Sequence, residues 1–223
     1  MRTKLFWQAL TKFVIGLLTV CLLLFLPAGT FHYWRGWLLL ALLFIPMFIA
    51  GIILLLKNPD LLAKRLNSKE KEEEQKSVII LSALMFIGGF ILAGLDYRFG
   101  WSQLPNWLIV AASASFIFGY GLYAEVLREN VYLSRTVEIQ ENQKVIDTGL
   151  YGIVRHPMYL ATILLFLSMP LILGSGISFL VFLIYPLLIT KRIKNEEEVL
   201  EKGLPGYKEY KERVRYKVFP FIW

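Results

Sequence analysis

The chain is built of long apolar runs separated by short polar intervals, and this alternation predicts its architecture. Runs at 13–26, 37–56, 78–95 and 107–127 each approach the roughly 20 residues a helix needs to cross a bilayer. A longer run at 159–190 is broken only by Gly174-Ser175-Gly176, the composition of a tight turn, and so predicts a hairpin of two more spans. The expected fold is therefore all-α: a polytopic integral membrane protein of about six transmembrane helices, ending in a C-terminal helical hairpin and an amphipathic tail. No Ser/Gly/Pro-rich linker divides it, so 1–130 (four spans) and 131–223 (an extended loop, the hairpin and the tail) are expected to form one folding unit.

The polar intervals set the orientation. Lys57, Lys64, Arg65, Lys69, Lys71 and Lys76 lie between the second and third runs, and Arg128, Arg135, Lys144 and Arg155 between the fourth and fifth. The segment after Thr190 is also rich in Lys and Arg, whereas the opposite loops carry only Arg35 and Arg98. By the positive-inside rule both termini and the long loops are expected to be cytoplasmic. The first run, flanked by Arg2, Lys4 and Lys12, lacks a small-x-small cleavage site before P-A-G-T-F and reads as an uncleaved anchor. The clusters 31–34 and 101–107 fit the aromatic belt at the outer interface, and His32 belongs to that belt. The acidic run 70–74 reads as a solvated loop or short charged helix without chemistry.

Composition agrees with the pattern. With 57% hydrophobic and 18% charged residues, the chain is too apolar for an ordinary soluble domain. The formal charge of +7 flanks apolar runs, which suits an anionic leaflet and membrane lipids rather than nucleic acid. One cysteine, Cys21, allows no internal disulfide, and two histidines without H-E-x-x-H leave a metal site short of ligands.

Chemistry concentrates in V-I-D-T-G-L-Y-G-I-V-R-H-P-M-Y at 145–159 and K-R-I-K-N-E-E-E-V-L at 191–200. A hairpin would return both clusters to one membrane face, placing Arg155, His156, Arg192 and the 196–198 carboxylates together. Pro157 pushes His156 out of helical geometry and suits the first turn of a helix, whose unpaired amides would face the cytoplasm beside His156. Arg192 and Glu196 are four apart and share a helix face. Before the hairpin, 135–144 is polar without helical periodicity and reads as an extended segment, followed by a turn at Asp147-Thr148-Gly149. After it, Gly203-Leu204-Pro205-Gly206 breaks the helix, and Tyr207, Tyr210 and Val214 recur at helical spacing opposite Lys208, Lys211 and Arg215. That predicts an amphipathic helix on the bilayer or over the site, and V-F-P-F-I-W at the end reads as an interface anchor.

Such a site offers carboxylates for an ammonium, cations and helix amides for a carboxylate, and Tyr151 and Tyr159 for a flat ring or sulfonium. The competing reading is that the arginines snorkel and the glutamates only solvate a helix end. In the fourth run, Gly119-Tyr120-Gly121 follows small residues at 111–115; the pattern suits close helix packing or, alternatively, a gap admitting part of a cofactor.

The ordered pattern T-G-L-Y-x-x-x-R-H-P-x-Y at 148–159, R-x-x-x-E-E at 192–197 and G-Y-x-x-Y-x-x-x-V at 206–214 with Pro220 resembles the isoprenylcysteine carboxyl methyltransferase family, to which phospholipid N-methyltransferases are related. The resemblance covers about the last half of the chain. It implies S-adenosylmethionine as cofactor, bound between hairpin and tail without the soluble methyltransferase fold, and it implies contacts from Gln140, Gln143, Lys144, Val145, Ile146, Tyr151, His156, Pro157, Met158, Tyr159 and Glu196. Gly119 and Gly121 resemble a Gly-x-Gly of the phospholipid enzymes. It further implies that Arg192, with Arg155 nearby, faces a lipophilic or prenylated acceptor, and that Glu197 would be the base if the acceptor were an amine. Two other readings stay open: a membrane reductase binding a nicotinamide dinucleotide at a similar hairpin, as sterol reductases do, and a non-catalytic scaffold or transporter. Oligomeric state is not legible.

Overall fold

The computed structural model describes residues 2–67, 73–134 and 136–223, and among these it is all-helical with no strand. Residues 70–72 of the acidic run, with Lys69, Lys71 and Arg135, lie outside the described residues. The helices are α1 (Arg2–Ala28), α2 (Trp34–Lys57), α3 (Pro59–Leu66), α4 (Glu73–Phe99), α5 (Asn106–Glu129), α6 (Pro157–Leu173), α7 (Gly176–Phe182), α8 (Tyr185–Gly203) and α9 (Tyr207–Arg213), with a 3-10 turn at Gly149–Gly152.

Five stretches are long and apolar enough to cross a membrane: α1, α2, Gln75–Phe99 of α4, α5, and the combined α7–α8 stretch Gly176–Gly203. At 17 residues α6 is shorter, although it is as apolar as its neighbours. These helices leave large apolar side chains such as Leu18, Leu22, Ile45, Ile53, Leu84 and Val110 exposed on their outer faces, the surface expected of a chain solvated by lipid.

The hairpin turns where the glycines predict. Gly174 caps α6 at φ 76°, a left-handed conformation, and a side chain there would also strike Arg35. Ser175 then caps α7 by accepting from the Ser178 amide at 3.1 Å. The returning limb is not one helix as expected. Pro186 has no amide to continue the ladder from α7, so the chain turns at Leu183–Ile184 and α8 begins anew at Tyr185.

At this far end of the bundle the loops are stapled together by buried polar groups. Tyr33 Oη donates to the Leu173 carbonyl at 2.7 Å, satisfying one of the carbonyls left open where α6 ends. The carboxylate of Asp96, 1% exposed, accepts from the Ser102 amide at 2.7 Å and from the hydroxyls of Ser102 and Ser175. Asp96 thus binds the α4 end to the hairpin turn.

Along the bundle, α5 lies on α6 through Ile109, Ala112, Phe116, Gly119 and Val126, a stripe at helical spacing. α4 packs on α1, α7 and α8. The other end gathers the start of α4, the ends of α2, α5 and α8, the start of α6, the 130–156 loop and the tail, and there the polar clusters of the sequence meet.

Candidate functional site

Arg155 and His156 precede α6, and Pro157 starts it: His156 takes φ −127° and ψ 61°, outside the helix, as the residue before a proline should. Their amides are used by the tail rather than by the helix. Arg155 N–H donates to the Tyr216 carbonyl at 2.9 Å and His156 N–H to the Lys217 carbonyl at 2.8 Å. The expectation of several open first-turn amides is narrowed, because the Tyr159 amide closes onto the His156 carbonyl at 3.0 Å.

The arginine does not snorkel. Its side chain is 3% exposed, with Nε donating to Glu197 Oε1 at 2.8 Å and Nη1 to the carbonyls of Val214 and Arg215 at 2.7 and 2.8 Å. Glu197 is also 3.2 Å from His156 Nε2 and 3.5 Å from Lys211 Nζ. One carboxylate therefore neutralises a buried guanidinium that in turn grips the tail. Removing either partner of such a pair strands a charge away from water and costs about 3–5 kcal/mol. Tyr210 Oη adds a bond to the Tyr151 carbonyl at 2.8 Å, and Leu204, Tyr207, Tyr210 and Val214 pack on Ile139, Val145 and Leu200. The amphipathic tail helix lies over the site.

On α8 the next face is turned differently. Arg192, Glu196, Val199 and Leu200 share one side of the helix and line a cleft. Arg192 Nε donates to Tyr159 Oη at 3.0 Å, and Tyr159 Oη donates to Glu196. The cleft is open at its mouth and encloses about 110 Å³ of free space. Its remaining walls come from Asn130, Tyr132 to Ser134, Thr136 to Glu138, Gln143 to Ile146, Tyr151, Arg155, His156, Met158, Tyr159, Leu204, Tyr207 and Tyr210. Burial, then the charges of Glu197 and Glu196, push the Tyr207 hydroxyl up, so it stays protonated. Burial does the same at Tyr151 and Tyr210.

The structure brings together most of the residues expected from sequence: Gln143, Lys144, Val145, Ile146, Tyr151, Arg155, His156, Met158, Tyr159, Arg192 and Glu196 all border the cleft. Gln140 stands behind it, its amide nitrogen donating to the Tyr132 carbonyl and its backbone N–H to Gln143 Oε1. Pro157 is buried at the start of α6 and serves geometry.

Three expectations are corrected. Glu197 does not line the cleft; Arg155, His156 and Lys211 face its carboxylate, which leaves it poorly placed to accept a proton from a ligand. Gly119 packs on α6, where a methyl group would meet Leu165 and the Ala161 carbonyl at 3.1–3.3 Å. Gly121 opens outward with nothing within 4 Å. Close packing, not a cofactor gap, accounts for the first glycine.

Residues the sequence reading passed over are Asn130, Tyr132, Ser134, Thr136, Glu138 and Gln75. The loop residues belong to no periodic element. Arg65 and Lys64 of α3 hold that loop by donating to the carbonyls of Ser134 at 3.0 Å and Val131 at 3.2 Å. Glu129 holds its far end, accepting from Thr148 Oγ1 and the Leu150 amide, each at 3.1 Å. Among the described residues no cluster of His, Cys, Asp and Glu has the makings of a metal site.

Two comparisons with known proteins bear on this chain. The mouse (Mus musculus) Delta(14)-sterol reductase TM7SF2 is 28% identical over 93 residues, which is 40% of this chain and 22% of that protein. The chain thus spans about a fifth of that relative's length. Residues 103–202 match the family model of the isoprenylcysteine carboxyl methyltransferases. That stretch contains α5, the loop, α6, α7 and nearly all of α8, and so most of the cleft's walls and both of its charged poles. The sequence that builds the cleft is thus similar to that of the isoprenylcysteine carboxyl methyltransferase family.

Proposed function

We propose that the protein is an S-adenosylmethionine-dependent methyltransferase acting on a lipophilic acceptor held in the membrane, with carboxyl O-methylation of a prenylcysteine-like compound the leading reaction. The observation that carries this reading is the pairing of Arg192 and Glu196 on one face of α8, joined through the Tyr159 hydroxyl and open to a single cleft. A zwitterionic cofactor fits this donor set. Glu196 would hold its ammonium, His156 and Lys144 its carboxylate, and the polar Ser134, Thr136 and Glu138 with the rings of Tyr151 and Tyr207 its nucleoside. S-adenosylmethionine supplies an electrophilic methyl group that transfers by in-line displacement.

The chain's own part is alignment and exclusion of water, which such a displacement needs more than it needs a protein nucleophile. Arg192 would orient an acceptor carboxylate, whose oxygen attacks without first losing a proton. Tyr159, bonded to both Arg192 and Glu196, would fix the distance between acceptor and donor. The tail would close the cleft on the water side, and a lipophilic acceptor would arrive sideways between helices. We read the short α6 as the sixth span, with both termini and the site on the cytoplasmic side.

The test is incubation of purified protein, membrane-lipid extract and small prenylated thiols with labelled S-adenosylmethionine, followed by mass spectrometry. Label in a lipophilic carboxyl ester supports the reading; label in an amine would move it to N-methylation. The match to a sterol reductase favours one alternative, a dinucleotide-dependent reductase using the same hairpin. Protein that retains a nicotinamide dinucleotide and has no affinity for S-adenosylmethionine would establish that alternative instead.

A further inference from the structure

The matched region begins at residue 103, yet the described part of the chain before it sends one side chain straight to the cleft's arginine. Gln75, in the first turn of α4, is 0% exposed despite its polarity and its place at a helix end. Its amide oxygen accepts from Arg192 Nη1 at 3.2 Å, and its amide nitrogen donates to the Arg192 backbone carbonyl at 3.3 Å. Arg192 Nε meanwhile donates to Tyr159 Oη at 3.0 Å. The guanidinium is thus braced by α4 on one edge and by α6 on the other.

We propose that Gln75 is the positioning residue for Arg192, holding its guanidinium toward an anionic acceptor. This rests on the acceptor role given to Arg192 under the proposed function. The chemistry favours an amide at this place. Burying a glutamine is costly unless both ends of its amide are bonded, and here both are, to the same residue. A carboxylate could accept from the guanidinium but could not donate to the Arg192 carbonyl, and it would set a negative charge beside the place of an acceptor carboxylate. A leucine would fill the space and give up both bonds to Arg192. An arginine left with several rotamers aims less well, and misplacement by about 1 Å can cost on the order of a hundredfold in rate. Gln75 also ties the N-terminal spans to the reaction, a task for helices outside the matched region.

The experiment compares Gln75→Leu, Gln75→Glu, Arg192→Ala and the Gln75→Leu/Arg192→Ala double variant in the intact protein. The assay uses tritium-labelled S-adenosylmethionine with N-acetyl-S-farnesylcysteine and membrane-lipid extract as acceptors. Gln75→Leu is expected to lower kcat/KM for the acceptor about tenfold while the cofactor Kd stays within about twofold. Gln75→Glu, which keeps the shape and the acceptor for the guanidinium but loses the donor to the Arg192 carbonyl and adds a negative charge, should raise acceptor KM more than it lowers kcat. In the Arg192→Ala background Gln75→Leu should add nothing, since it acts through the arginine.

A side chain that merely packs α4 would lower thermal stability in both variants alike and would leave the KM-to-kcat split unchanged; that result overturns the proposal. Additive losses in the double variant, or cofactor affinity falling in step with acceptor affinity, overturn it too. If Gln75→Leu does not fold, Gln75→Glu and its KM decide. Should wild-type protein bind no S-adenosylmethionine and label nothing, the methyltransferase reading fails and takes this inference with it. Active wild type with unaltered Gln75 variants sinks the inference alone.

Discussion

Two adjacent glutamates on α8 have opposite surroundings. Glu196 lines the cleft and accepts from Tyr159, whereas Glu197 faces Arg155, His156 and Lys211 away from it. Glu196→Gln should therefore weaken S-adenosylmethionine binding by roughly ten- to a hundredfold, the worth of about 1.5–3 kcal/mol for a charged hydrogen bond, with little change in melting temperature. Glu197→Gln should do the reverse, lowering stability by about 3 kcal/mol because Arg155 is left buried and uncompensated. Calorimetry and thermal unfolding in detergent separate the two, and interchanged phenotypes would mean the assignments are reversed. Arg192→Ala should reduce turnover by about a hundredfold or more with cofactor affinity nearly intact; equal losses in both would show that the arginine serves the cofactor. The motif was legible in sequence, but the division of labour within it was not. Neighbours on a helix point about 100° apart, and the rotation that turns one toward a cleft is set by what packs behind the other.

Helix positions were easier to read than helix contacts. Apolar runs and the Gly-Ser-Gly turn placed the long apolar helices and the turn after α6, because burial in lipid leaves a helix no local alternative. The break at Leu183–Ile184 was readable in principle from Pro186 but is hidden inside a continuous apolar run. The small residues of α5 likewise announce close packing without saying which of them make it. Gly119 lies against α6 and Gly121 faces outward, so Gly119→Leu should force α5 off α6 and lower the melting temperature markedly. Gly121→Leu should leave the fold and any activity close to wild type. Equal tolerance of both would mean that α5 presents another face to α6.

At the scale of the molecule, the site is made by closure. The 214–217 backbone is gripped by Arg155 and paired with the amides of Arg155 and His156, which anchors the tail whose Leu204, Tyr207 and Tyr210 line the cleft. Removing residues 214–223 should abolish cofactor binding and open the 145–156 loop to protease, while the bundle, stapled at its far end by Tyr33 and Asp96, stays folded. Retained cofactor affinity in the truncated protein would argue that the cleft binds without its lid. Gln103→Cys and Lys208→Cys, each placed in a Cys21→Ser background, should label from opposite sides of the membrane; labelling from the same side would overturn the topology.

The order of apolar and polar residues by itself determined that this is a membrane-embedded helical protein, where its long apolar helices lie, and that two polar clusters flank a hairpin. Those features depend on hydrophobicity and on a period of 3.6 residues, both local properties of the chain. Only the tertiary structure decided which carboxylate opens to the cleft, which glycine is buried, that the tail is locked by Arg155, and that Gln75 reaches Arg192 across 117 positions of sequence. Contacts of that kind follow from how helices rotate and settle against one another, and rotation about a helix axis leaves no trace in the spacing of residues along it.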